Sequence, residues 1–234
     1  MSGSTSNPPS ASTAQAAAAG AGLVVVLLVG LLVAPLHGWT ASELGVVQWL
    51  SEHHAPALDA VTAAIGTLAS PPVGLGLLVV LCAVGARRVG VRRAVVLLGV
   101  AGLTLAGGIV LKVLVHRPRP DVALLASPPP VDTSFGYPSG HTTVAAVLVL
   151  TALALLGPRR SRLWAPVGVL LVVVVAASRV YLGAHYPLDV VAAVVYAASA
   201  FTLASVLVTT TPAQRVLSVV RLDSLADARE GDRA

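Results

Sequence analysis

Three short polar islands interrupt a very apolar chain, and they carry the side chains best suited to chemistry. The first is Lys112-Val-Leu-Val-His116-Arg117-Pro118-Arg119-Pro120. The second is Tyr137-Pro138-Ser139-Gly140-His141. The third runs Ser178-Arg179-Val-Tyr-Leu-Gly-Ala-His185-Tyr-Pro187-Leu-Asp189. Together they offer cations, two well-placed histidines, a helix-starting Ser-Gly and one carboxylate. That inventory suits gripping a phosphate and attacking it.

Each island also has a plainer reading. Arg presents a planar fork to phosphate oxygens and Lys a point charge. Pro118 and Pro120 forbid a regular helix, so Arg117 and Arg119 are expected to turn back toward Lys112. The alternative is cations snorkelling at a membrane edge. In the second island Ser139 is a good N-cap, and Gly140 permits close approach of an anion to free helix N–H groups. His141, in the first turn, can give a proton to a leaving oxygen; the alternative is a capped helix with an incidental histidine. In the third, Pro187 suits a first helical turn. Asp189 lies four residues after His185 and can hold one imidazole nitrogen while the other attacks. The alternative is an Asp stabilising a helix N-terminus beside a surface histidine.

The elements that must position these islands are membrane helices. The chain has 234 residues, 56% hydrophobic and 11% charged, with mean hydropathy +0.87. Soluble domains carry about 25% charged residues. The expected fold is all-α, a bundle of six transmembrane helices over about 20–36, 72–86, 94–115, 141–157, 163–181 and 188–209. Short interfacial helices are expected between the first and second spans, one near Leu44, Val47 and Leu50, another from Ala57 to about Leu68. Residues 1–19 read as a disordered tail, 20–211 as one transmembrane domain, and 212–234 as a polar cytoplasmic tail. A cleaved signal peptide is the alternative for the first span, without the usual basic n-region. Cys82, the only cysteine, excludes an internal disulfide and a cysteine metal site.

Arginines orient the bundle. Arg87, Arg88, Arg92 and Arg93 share one loop, Arg159, Arg160 and Arg162 another, and Arg215 and Arg221 follow the last span. All fall on one side of a six-span chain, which the positive-inside rule makes cytoplasmic, with both termini. The islands fall on the opposite, extracytoplasmic side. The net charge of +5 therefore reflects topology, and without a basic stripe with aromatics no nucleic-acid partner is expected. No signal points to a particular oligomeric state.

Lys112-x6-Arg119-Pro120, Pro138-Ser139-Gly140-His141 and Ser178-Arg179-x5-His185-x3-Asp189 resemble the three-part signature of the type 2 phosphatidic acid phosphatase (PAP2) superfamily. Order and spacing match over roughly residues 70–210. The resemblance implies a metal-independent membrane phosphatase with no cofactor. It implies that His185 is the nucleophile, forming a phosphohistidine, that Asp189 orients it, and that His141 protonates the leaving group. Lys112, Arg119, Ser139, Gly140 and Arg179 would bind the phosphate, with Arg117 as an extra cation. His116 and Asp121 are expected at the rim or in structural roles.

The expected function is hydrolysis of a lipid phosphate or diphosphate at the extracytoplasmic face. Polyprenyl diphosphate, phosphatidylglycerophosphate and phosphatidate are the candidate substrates, and the loop from Asp121 to Tyr137 a rim or lid. One rival is a lipid-phosphate transporter or flippase without hydrolysis, though the spans are apolar in their middles. Another is a vanadate-binding haloperoxidase, a soluble relative by resemblance. A third is a non-catalytic relative, against which every motif position is present.

Overall fold

Eight α-helices and one 3-10 turn make up the described part of the protein, a computed structural model describing residues 11–130 and 132–210. The helices are α1 (Ala11–Val33), α2 (His37–Glu52), α3 (Pro56–Leu68), α4 (Pro71–Val89), α5 (Val91–Val115), α6 (Gly140–Leu156), α7 (Pro158–Tyr181) and α8 (Pro187–Thr210). The 3-10 turn, Val122–Leu124, lies in the long α5–α6 connection. Residues 11–19, expected as tail, form the first turns of α1. Their Ala-rich composition favours helix and lacks the charge that would keep it unfolded. The remainder of that tail, the C-terminal tail, Arg215 and Arg221 lie outside the described residues.

Among the described residues, five helices are long and apolar enough to cross a membrane: α1, α4, α5, α7 and α8. The remaining expected span, α6, has 17 residues. At 1.5 Å per residue it rises about 25 Å, against a hydrocarbon core of about 30 Å. It is also the most enclosed helix, packing against α4, α5, α7 and α8. Thr142 to Val147 are buried in an unbroken run, so no single apolar stripe is required of it. Its Ala146, Val147 and Leu155 join Leu78 and Cys82 of α4, Val100 and Ala101 of α5 and Phe201 of α8 in the main core. Outward residues such as Val80, Leu103, Ile109 and Leu170 remain exposed apolar surface, as a lipid-facing bundle requires.

Single glycines join α4 to α5 and α6 to α7. Gly90 and Gly157 adopt φ of 82° and 78°, where side chains are disfavoured. These two turns bring the arginine clusters together: Arg88, Arg93, Arg159 and Arg160 line one cavity of about 600 Å³. The polar islands occupy the other ends of α5, α6 and α7. The two short helices expected after the first span are present as α2 and α3. Val47 of α2 packs with Leu125, Val180, Tyr186 and Val190, covering the island end of the bundle.

Candidate active site

Local sequence explains how each island reaches the site. His116 ends α5 in the left-handed region, its N–H donating to the Lys112 carbonyl at 3.0 Å. Pro118 and Pro120 then keep the chain extended. Ser139 caps α6, with Thr142 N–H and hydroxyl directed at its oxygen. Gly183, at φ 70°, turns the chain out of α7, and Pro187 opens α8.

Asp189 is the point where the islands meet. Its Oδ1 accepts from Arg117 at 2.7 Å, and its Oδ2 accepts from the Tyr186 N–H at 3.0 Å. Its carbonyl accepts from the Ser139 N–H at 3.0 Å. His185 and Asp189 are both fully buried, with His185 Nδ1 3.5 Å from Asp189 Oδ2. That contact is longer than a good hydrogen bond, and Nδ1 has no closer partner. Catalytic contacts in ligand-free sites are often long and tighten with substrate.

The opposite nitrogen is better defined. Arg119 Nη1 lies 3.1 Å from His185 Nε2 and also donates to the Ala184 carbonyl at 2.9 Å. Guanidinium has donors only, so Nε2 must accept. In the neutral ring the proton then sits on Nδ1, facing Asp189, and the Nε2 lone pair points at a cation. Burial lowers the His185 pKa to about 4. The neighbouring Asp189 carboxylate opposes that shift, while Arg119 and Lys112 reinforce it. An ordinary imidazole titrates near 6.5. The folded value is depressed, so stability from this group is fully present above about pH 6.5 and is lost as pH falls toward 4. Nitrogen-15 spectra of histidine-labelled protein in detergent should show the His185 ring neutral at about pH 5.5, where a free imidazole is mostly protonated. A protonated ring at that pH would contradict this environment.

Others of the expected residues share the electrostatic neighbourhood of His185 and His141. Lys112 Nζ donates to the Phe135 carbonyl at 2.6 Å. Its stem lies against Gly140, where an added Cβ would sit 3.8 Å from Lys112 Cε. His141 stands in the first turn of α6, within the electrostatic reach of Arg179, His185, Arg119 and Lys112. Arg179 is buried, donating to the Thr62 carbonyl at 2.7 Å and to Ser178 Oγ at 3.1 Å. An apolar groove of about 330 Å³ between α4, α5 and α6 leads to this cluster, from Leu75, Leu105 and Ile109 to Lys112, Pro138 and Gly140.

Arg117 departs from expectation. It is 1% exposed and bonds Glu43 through Nη2 and Asp189 through Nη1, with Tyr186 stacked 4.6 Å from its carbon. Burial alone would lower its pKa, but the two carboxylates outweigh that and raise it. It is a buried partner of Asp189, not a cation open to phosphate. Residues two apart in extended chain would share a face, so the alternation of Arg-Pro-Arg-Pro does not explain the split; the carboxylates of Glu43 and Asp189 hold Arg117 apart. His116 and Asp121 take the structural roles expected. His116 meets the Phe135 ring edge-on, and Asp121 caps the 3-10 turn.

Sequence reasoning missed several participants. Glu43 of α2 holds Arg117 and accepts from the Leu188 N–H at 2.7 Å. Asp132 pairs with Arg119 at 2.7 Å, and Ser134 accepts from the same guanidinium through its carbonyl and hydroxyl, at 3.0 Å each. The loop expected as a rim thus closes on both Arg119 and Lys112. Gly66 of α3 abuts Arg179: an added Cβ would fall 2.5 Å from its Nη1. A glycine on a helix carries no chemical signal in sequence, and Glu43 lay in a helix far along the chain from every motif.

Comparison with known proteins identifies the family and its fold. A family model described as the PAP2 superfamily matches residues 93–212, just over half the chain. Phosphatidylglycerophosphatase B of Escherichia coli is 44% identical over 62 residues, covering 26% of this chain and 24% of that protein. Decaprenylphosphoryl-5-phosphoribose phosphatase of Mycobacterium tuberculosis is 38% identical over 91 residues, covering 39% and 48%. The chain therefore matches between about a quarter and a half of the length of these relatives. The crystal structure of a transmembrane PAP2-type phosphatidylglycerolphosphate phosphatase from Bacillus subtilis superposes with a TM-score of 0.68. It is 24% identical, with 79% of this chain and 93% of that one covered, and shows the shared fold. On the family match, and on the three islands meeting at Asp189 and His185, the chain belongs to the PAP2 superfamily.

Proposed function

We propose that this protein is a metal-independent membrane phosphatase that hydrolyses a lipid phosphate or diphosphate through a phosphohistidine intermediate. The observation that carries this reading is the environment of His185. One ring nitrogen faces a carboxylate, and the other accepts from Arg119 at 3.1 Å. A phosphate drawn to Arg119, Lys112 and Arg179 would place its phosphorus beside an unprotonated nitrogen.

In the first step Nε2 bonds to phosphorus as the bond to the lipid oxygen breaks, and His141 gives that oxygen a proton. Asp189 stabilises the positive charge that develops on the ring. In the second step water attacks the phosphohistidine, His141 accepts its proton, and inorganic phosphate leaves with His185 restored. Lys112, Arg119, Arg179 and the α6 N-terminus at Ser139 and Gly140 meet charge on the transferring group. The apolar groove ending at Lys112 and Gly140 suits a lipid tail beside its headgroup. Asp132 and Ser134 must release Arg119 as phosphate enters.

The same reading places six spans in the bilayer, α6 included, with α2 and α3 at the interface. The arginine-lined end is cytoplasmic with both termini, and the site is extracytoplasmic. Polyprenyl diphosphate, phosphatidylglycerophosphate and phosphatidate are the substrate classes to compare, as relatives named for such lipids suggest. Purified protein assayed on these lipids with chelator present should release phosphate from at least one at an undiminished rate. Loss of activity on chelation, restored by a divalent cation, would defeat the metal-free mechanism. Preference for a water-soluble sugar phosphate would defeat the lipid assignment.

A further inference from the structure

Two buried charges beside the nucleophile have no direct part in phosphate chemistry. Arg117 lies between two carboxylates, Asp189 on Nη1 and Glu43 on Nη2, and its Nε has no partner. Glu43 is itself largely buried and uses its other oxygen to accept the Leu188 N–H, one residue before Asp189. One side chain of α2 therefore grips both the cation on Asp189 and the backbone that carries Asp189. Glu43 lies outside residues 93–212, the span that the family model covers, while Arg117 and Leu188 lie within it.

The physical consequence follows from sharing. Asp189 serves Arg117 on Oδ1, and on Oδ2 it holds the Tyr186 N–H and faces the His185 ring at 3.5 Å. A guanidinium with a single carboxylate partner would concentrate its charge there, drawing electron density and orientation away from the ring. A second carboxylate on the same guanidinium offsets that charge. The Nδ1 contact is already 3.5 Å, so a small rotation of Asp189 decides whether the ring is held. Misplacement by about 1 Å can cost about 100-fold in rate.

We propose that Glu43 is a positioning residue for the nucleophile, acting through Arg117 to keep the Asp189 carboxylate directed at Nδ1 of His185. This rests on the phosphatase reading for its kinetic consequence but not for its structural one. The charged neighbours of the His185–Asp189 pair are Arg117, Arg119, Lys112 and His141, and none of them can take over the place of Glu43 on the far side of Arg117.

Glu43→Gln keeps size and one acceptor oxygen but removes the charge. It should lower kcat about 100-fold with KM little changed, while Glu43→Asp, which keeps the charge, recovers part of the loss. The decisive measurement is a cycle with Asp189→Asn. If Glu43 acts through Asp189, the double variant is no slower than Asp189→Asn alone. The nitrogen-15 resonance of His185 Nδ1, recorded without substrate, should move in Glu43→Gln. Losses that multiply in the double variant, or an unmoved His185 resonance, would reduce Glu43 to a helix tether and overturn the proposal. Melting curves in the same detergent establish folding; should Glu43→Gln fail to fold, the same cycle and spectrum are taken on Glu43→Asp, whose shorter side chain should give a smaller loss in kcat and a smaller shift. Wild-type protein that releases phosphate from no lipid would defeat the phosphatase reading, and the His185 spectrum would still test the coupling.

Discussion

His185→Ala is expected to lose phosphate release by about 10⁴-fold or more while the protein still inserts and folds. The size of the effect follows from the absence of a substitute. Arg119 contacts Nε2, while Lys112 and Arg179 donate to protein carbonyls, and none of the three can attack phosphorus. His141 starts a different helix and stands on the expected leaving-group side. The folding expectation follows from Asp189, which keeps Arg117 and the Tyr186 N–H as partners when the ring is gone. No charge is stranded, so the stability cost is that of a buried cavity, within about 2–5 kcal/mol for large-to-small changes. Phosphate release from the lipid panel measures the loss, with melting temperature as the control. Rapid quench with labelled substrate should trap an acid-labile, base-stable phosphoprotein in the wild type and none in the variant. Near-normal turnover by His185→Ala would sink the nucleophile assignment.

The helices were legible because a membrane leaves few options. Apolar runs of span length, broken by Gly90 and Gly157, must be helices joined by tight turns, and the observed ends fall within a few residues of expectation for most spans. The start of α1 was missed because Ala and Ser in residues 11–19 carry no hydrophobic signal, though they form helix readily when continuous with one. The site was legible where spacing along one element sets geometry: His185 and Asp189 flank a helix start, and Ser139 and His141 open another. It was not legible where one island chooses between neighbours. Arg117 and Arg119 are two residues apart with identical side chains, yet one is buried against two carboxylates and the other faces Nε2. The deciding factor is Glu43, delivered by a helix whose packing cannot be inferred from its own pattern. Asp132 was hidden for the same reason, being a loop carboxylate whose partner is set by the path of the loop.

Arg119→Lys should be nearly as damaging as removal of the side chain, although it conserves the charge. Arg119 works through its fork. Nη1 reaches His185 Nε2 and the Ala184 carbonyl, Nη2 reaches Asp132 and Ser134, and Nε reaches the Ser134 carbonyl. An ammonium can satisfy one of these directions and would follow the Asp132 carboxylate, the strongest anion at hand, leaving Nε2 without its cation. Loss of a well-placed donor to a transition-state oxygen costs about 10²–10³ in kcat, or about 2.7–4 kcal/mol. The loss should fall mainly on kcat, because Lys112 and Arg179 remain to attract the phosphate. Asp132→Asn provides the opposing control. It removes the carboxylate that phosphate must displace from Arg119, so KM should fall or hold while kcat is kept. In the Lys variant, adding Asp132→Asn should recover part of the lost rate by freeing the ammonium to meet the substrate. Wild-type kinetics for Arg119→Lys would mean that charge alone suffices there, and the geometric role given to the guanidinium at His185 would have to be abandoned.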